Sequence, residues 1–248
     1  MSAPAEAQPS CSAEMHGGER LRMPLVADRA AWLEQLCAQT PGEIAHLGCA
    51  DSPYTAELLA SGSLLHARLV KVGRVTGFDV DAQALALVQS ALPDQRFVLS
   101  DVSDVSDAPA AERGRYALVI AGEVLEHVPD ADAFLQGCRA LLAPGGQLCV
   151  TVPNACSPKI GLRSLAGRES VHPDHRVYYG PRTLERTLAG AGFELSWLAS
   201  CFAPIAGRAG RTIFNPLLRL DHRLFHGPVG DGLIALASAR SNPAAIAS

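Results

Sequence analysis

Two carboxylates and an imidazole stand close together in residues 116–128, YALVIAGEVLEHV. Glu123, Glu126 and His127 are spaced i, i+3 and i+4, so a helical turn would carry all three on one face. Such a group can coordinate a divalent metal, or hold a substrate hydroxyl while its proton leaves. The same residues would equally cap and solvate a helix start. The apolar run 116–121 that precedes them predicts a buried strand, which would deliver all three at its carboxyl end. In an open α/β sheet ligands bind at that edge, because loops and helix N-termini converge there.

Three other strand ends carry polar groups of the right kind. Residues 46–52, HLGCADS, form a small-residue turn whose backbone N–H groups could approach a nucleotide-like ligand, although one glycine also suits an ordinary turn. Asp79 closes the next strand, where a carboxylate can accept both hydroxyls of a ribose. Asp101 closes a third, where it could receive the exocyclic amine of an adenine while the Val102 N–H reaches a ring nitrogen. A lone strand-terminal Asp is commonly a cap or turn residue, but two in succession after a glycine turn are harder to dismiss. His172 and His175 come just before a helix predicted from Pro181. Between residues 200 and 232, Phe202, Arg208, Arg211, Phe214, Arg219, Asp221, His222, Arg223, Phe225 and His226 suit either an anionic acceptor pocket or a solvated surface.

The elements that must position these groups alternate along the chain. Helices are predicted over 25–38, 53–72 (broken near Ser61-Gly62), 82–91, 131–142 and 182–189. Strands are predicted over 43–47, 74–78, 96–100, 116–121, 146–152, 194–199 and 233–239. This order implies an α/β protein: a Rossmann-like, doubly wound, mostly parallel seven-stranded sheet with helices on both faces. Residues 1–24 read as a disordered arm, 25–240 as one domain and 241–248 as a flexible tail. The 248 residues are 48% hydrophobic and 19% charged, enough for one large core. A net charge of −4 disfavours a long nucleic-acid groove, though not a small local basic patch. Seven scattered cysteines without a CxxC pair argue against a disulfide framework. With no secretory leader and no spanning helix in view, a soluble cytoplasmic protein is expected.

Taken in order, the turn 46–52, the strands ending at Asp79 and Asp101, residues 116–128, LLAPGGQ at 141–147 and the strand running into Val152-Pro153-Asn154 resemble the class I S-adenosylmethionine-dependent methyltransferases. The resemblance spans residues 30 to 239 or so. It implies that Gly48, Cys49 and Ala50 line the methionine half of S-adenosylmethionine. Asp79 with Val80 would hold the ribose, Asp101 with Val102 the adenine, and Ala121 with Gly122 would flank the sulfonium. E-x-x-E-H followed by H-x-x-H is also similar to two branches of that superfamily, the ubiquinone-biosynthesis O-methyltransferases and the small-RNA 3′-end ribose methyltransferases. By that resemblance Glu123, Glu126, His127 and His175 would bind Mg²⁺, or His127 with Glu123 would act without metal on the acceptor hydroxyl.

The chain departs from the family pattern at its first turn. His46 stands where an acidic residue usually opens it, Ala50 and Ser52 replace glycines, and Asp51 lies within it. An added segment around residues 63–71 brings His66, which is either a pocket residue or a partly buried surface one. The expected activity is O-methylation of a small metabolite or a nucleotide- or phospho-sugar. The competing readings are a metal-assisted RNA ribose methyltransferase, a nicotinamide-dependent dehydrogenase without G-x-G-x-x-G, and a methyltransferase fold that only binds.

Overall fold

The computed structural model describes residues 21–104, 109–169, 172–202, 219, 222 and 226–240. Among them, eight strands form one sheet: β1 (Leu25–Val26), β2 (Glu43–Leu47), β3 (Arg74–Asp79), β4 (Arg96–Leu99), β5 (Tyr116–Gly122), β6 (Leu142–Pro153), β7 (Phe193–Cys201) and β8 (Gly232–Ala239). Their order across the sheet is β1-β7-β8-β6-β5-β2-β3-β4. Only β8 runs against its neighbours, pairing antiparallel with β6 and β7. The helices are α1 (Arg29–Gln39), α2 (Thr55–Ala60), α3 (Leu65–Leu69), α4 (Ala82–Ala91), α5 (Ala131–Leu141), α6 (Pro158–Leu165) and α7 (Pro181–Gly190). None is long and apolar enough to cross a membrane among the described residues.

The expected architecture is present, with eight strands where seven were expected. The additional strand is Leu25–Val26, which pairs in parallel with Ser200 and Cys201 at the sheet edge. A helix was expected from residue 25; it begins at Arg29 instead, because the extended Asp28 caps it by accepting the Ala31 N–H at 3.1 Å. The predicted arm also ends sooner than residue 24. Met23 is buried, and its N–H donates to the His226 carbonyl at 3.0 Å.

Strand residues alternate between two cores, as the period of a pleated strand requires. Ala45, Leu47, Val119 and Ala121 face the core under α5 and α7, whereas Ile44, Leu118 and Ile120 face the one under α1 and α3. Helix α5 buries Phe134, Leu135, Cys138 and Leu141, each worth roughly 1.5–3 kcal/mol of transfer free energy. Gly137 on the same helix lets it rest directly on the loop after β4. A Cβ there would fall 1.7 Å from the Val102 carbonyl oxygen. That contact sets the height of the Asp101–Val102 turn above the sheet. Replacing Gly137 with Ala should therefore destabilise the fold by about 3 kcal/mol, the upper range for overpacking, as measured by urea unfolding. A change below 1 kcal/mol would mean that helix and loop can slide apart freely.

Candidate active site

β2 and β5 are neighbours at the centre of the sheet. From β2 the chain builds outward through β3 and β4, and from β5 it builds the other way through β6. The crevice beyond their carboxyl ends is thus the topological switch point, where a doubly wound sheet opens to ligands. A cavity of about 640 Å³ lies there. Its walls come from the turn after β2, the ends of β3 and β5, the start of α1, and the segment 172–175.

On the β2 and β3 side, the turn is tied down by a carboxylate. Asp79 Oδ2 accepts the Ala50 N–H at 2.9 Å, and Oδ1 accepts the Asp81 N–H at 3.0 Å. Each oxygen keeps a further lone pair, and the residue lines the cavity. Gly48 has φ +68, and a Cβ on it would meet Val124 at 2.7 Å, so glycine alone suits the position. Ser52 Oγ donates to Asp81 Oδ2 at 2.8 Å, and Asp81 in turn caps α4.

On the β5 side the expected helical face is absent. Residues 125–127 form a turn, with the His127 N–H bonded to the Val124 carbonyl at 2.9 Å, and Glu123 takes φ +55. The three side chains consequently diverge. Glu123 is held away by an ion pair with Arg29 and by Thr151 Oγ1 at 3.3 Å. Glu126 turns inward: it is buried, and neither of its carboxylate oxygens has a hydrogen-bond partner. Burial first, and the Glu123 charge second, push its carboxyl up to about 8. His127 remains at the cavity wall.

The segment 172–179 completes this side. The Arg176 N–H donates to the Glu126 carbonyl at 2.8 Å, which brings His175 against His127 with ring centroids 4.6 Å apart. One donor atom each from Glu126, His127 and His175 lies within 4.8 Å of the other two, a spacing that suits a shared cation. Glu123, expected as a fourth ligand, is not in this group because Arg29 engages it. His127 Nδ1 lies 3.2 Å from the Asp174 carbonyl oxygen. A carbonyl can only accept, so Nδ1 carries the proton and Nε2 keeps its lone pair. Burial, with smaller contributions from His127 and His172, lowers His175 to about 4, so its imidazole is neutral at physiological pH.

Of the residues singled out in the sequence, Gly48, Cys49, Asp79, Val80, Gly122, Glu123, His127 and His175 line the cavity. Ala50 and Ala121 are wholly buried and contribute backbone and packing rather than surface. Asp101 and Val102 are not part of the wall: Asp101 is exposed and accepts the Ser103 N–H at 2.9 Å, while Val102 packs under α5. Of the proposed acceptor segment, Arg208, Arg211, Phe214, Asp221, Arg223 and Phe225 lie outside the described residues. Phe202 is buried, with Lys159 and Arg219 5.7 and 5.6 Å from its ring centre. Arg29 was missed. Its signal was a cation in the first turn of a helix, where the macrodipole opposes it and another partner must hold it.

The methyltransferase domain family matches residues 25–196, and the chain belongs to it. Its fold is that of solved S-adenosylmethionine-dependent methyltransferases. A SAM-dependent methyltransferase from Archaeoglobus fulgidus superposes with a TM-score of 0.51 at 13% identity, over 84% of this chain and 91% of that one. A DhpI–SAH complex superposes equally well, at 0.51 and 20% identity, over 86% and 84% of the two chains. In sequence, the ubiquinone biosynthesis O-methyltransferase of Albidiferax ferrireducens is 28% identical over 146 residues, 58% of this chain and 53% of that protein. The chain thus spans about half the length of that relative.

Two further buried imidazoles adjoin the cavity. His66 is held at about 4 by burial, and His46 is driven down by burial and by His66. Folded values below the ordinary 6.5 mean that the unfolded chain binds more protons between the two. The stability His66 contributes is complete above pH 6.5 and is lost as pH falls through about 4, and that of His46 is lost in the same direction. Thermal melts from pH 8 to 4 should show this loss, and His66→Leu should remove a share on the order of 3 kcal/mol of it. Parallel curves for the two proteins would show that His66 charges freely in the folded state.

Proposed function

We propose that this protein transfers the methyl group of S-adenosylmethionine to a hydroxyl oxygen of a small molecule. One observation carries the reading: the Asp79-bound turn and the imidazoles of His127 and His175, which share a possible cation position with the buried Glu126, line a single cavity. The O-methyltransferase relatives support oxygen as the acceptor atom. The cofactor would lie over Gly48 and Cys49 with its ribose on Asp79 and Val80, and its adenine toward Asp101 and Val102. These residues fit the cofactor's chemistry: a Cβ on Gly48 would fill the cradle, and Asp79 retains lone pairs for two hydroxyls. When bound, the cofactor supplies an electrophilic methyl group, so the protein's task is to align and deprotonate an acceptor.

His127 Nε2 is the atom for that task, since Nδ1 is committed to Asp174. Metal binding is the alternative use of the same group, since a His127 Nε2 lone pair given to a cation cannot also take the hydroxyl proton. The unpartnered Glu126 carboxyl is neutral without a cation and would lose its proton to solvent on binding one, and the neutral His175 is ready as a ligand. One carboxylate and two imidazoles favour Zn²⁺ or Mn²⁺ over the Mg²⁺ that the sequence motif suggested, because Mg²⁺ prefers oxygen donors. A divalent ion there would lower the acceptor's pKa, and vicinal hydroxyls, as in a catechol, would meet it in bidentate fashion.

Three measurements test this reading. Asp79→Ala should weaken S-adenosylhomocysteine binding by at least about tenfold, the scale of lost hydrogen bonds to a charged group. Unchanged affinity removes Asp79 from the ribose. His127→Ala should lower methyl transfer to a catechol by about a hundredfold while leaving that affinity within about twofold. A parallel loss of binding would make His127 a cofactor residue. Chelator treatment should suppress turnover, with recovery on adding Mn²⁺ or Zn²⁺; turnover indifferent to chelator leaves His127 as a metal-free base.

A further inference from the structure

His46 and His66 form a buried pair that neither the acceptor group nor the ribose site employs. His46 sits near the end of β2 and His66 in α3; their Nδ1 atoms are 3.2 Å apart and their rings stack at 5.4 Å. Gly77 on β3 leaves them room, since a Cβ there would stand 3.0 Å from His66 Cε1. Contact between two Nδ1 atoms requires one ring to donate and the other to accept. If His46 donated, His66 would carry its proton on Nε2, which is buried and has no partner. If His66 donates, its Nε2 is a bare lone pair and His46 bears a proton on its own Nε2. An unpaired buried N–H is the less tolerated of the two, so the second arrangement holds.

That proton faces the cavity. His46 lines it, with Nε2 4.0 Å from where a Cβ on Gly122 would lie. Arg29 lines the same cavity, and its guanidinium has donors beyond the one given to Glu123. This part of the wall therefore presents N–H donors. The carboxylate of the turn is Asp51, which also lines the cavity and is held at φ +56.

We propose that the site binds the amino-acid end of its cofactor with rewired polarity: His46, oriented by His66, and Arg29 receive the carboxylate, and Asp51 receives the ammonium. This rests on the cofactor reading above. His46 contacts the ligand, and His66 is a positioning residue.

Calorimetric titration of the full chain with S-adenosylhomocysteine and with 5′-methylthioadenosine tests it, because the second ligand keeps the nucleoside and thioether but lacks the amino acid. His46→Leu should weaken S-adenosylhomocysteine by about tenfold or more, the scale of a hydrogen bond to a charged group, and methylthioadenosine by less than about twofold. His46→Gln, whose terminal amide can replace the Nε2–H, should stay within about threefold of wild type for both. His66→Leu should show the same split, more weakly. Asp51→Asn should also show it, and being exposed on the turn it tests the proposal even if the His46→Leu chain does not fold. Equal losses for the two ligands, or no loss for S-adenosylhomocysteine, overturn the proposal. Wild-type protein that binds methylthioadenosine as tightly as S-adenosylhomocysteine overturns it too, with the cofactor site intact. Binding of neither ligand ends the cofactor reading and this inference together.

Discussion

Two backbone N–H groups converge on the Asp79 carboxylate, one from the turn after β2 and one from the turn before α4. Without that shared acceptor the two loops would have no reason to adopt a common shape, since buried backbone donors must find a partner. The bond holds the Gly48 turn against the end of β3 and directs the remaining lone pairs of Asp79 into the cavity. The parallel sheet makes this possible: β2, β3 and β5 all end at one edge, so groups far apart in the chain meet across it. The Cys49 N–H, bonded to the Phe78 carbonyl at 3.1 Å, adds a second tie between the same loops.

The other half of the site is built from strain and burial. Glu123 adopts a left-handed conformation that costs a non-glycine residue about 1–2 kcal/mol. Its N–H is anchored to the Thr151 carbonyl and its carboxylate to Arg29, and these contacts hold it there. The kink turns the following residues so that Glu126 points inward and His127 outward. A second latch positions the segment bearing His172 and His175. Buried Asn154 donates to the Pro228 and Gly230 carbonyls at 2.9 and 2.8 Å, pairs with Tyr179, and accepts the Cys156 N–H at 3.0 Å. The Asn154 side chain joins the end of β6 to the approach to β8, and its backbone bridge to Tyr179 adds the loop before α7.

Charge around the cavity is kept low by desolvation. His66 and His175 are held near 4 and Glu126 near 8, so all three are neutral over a wide range around pH 7. Opposite shifts in a base and an acid have one cause, the poor solvation of any ion there. The exception is the Arg29–Glu123 pair, where two charges satisfy each other. Beside these neutral groups the wall carries the carboxylates of Asp51, Asp79 and Asp81, all on the side of the β2 and β3 turns.

Local pattern determined much of this protein: the β-α alternation, the central apolar strand 116–121, the carboxylates at strand ends and the ordered motifs that mark the methyltransferase superfamily all follow from residue type and spacing. The acidic motif shows where pattern stops. The i, i+3, i+4 spacing at residues 123–127 assumed helical dihedrals, but tertiary anchors on Glu123 imposed a turn and sent its carboxylate to Arg29. Asp101 and Val102 follow β4 as their positions in sequence suggest, but the close approach of α5 at Gly137, which packs the Val102 side chain and leaves Asp101 exposed, has no local signal. The two-residue edge strand at Leu25–Val26 was equally invisible, because its pairing with Ser200 and Cys201 spans most of the chain. His46 was read as a departure from a motif. Only the fold brought it to His66, since a contact between β2 and α3 depends on how the helix packs, and packing of distant segments leaves no local period to read.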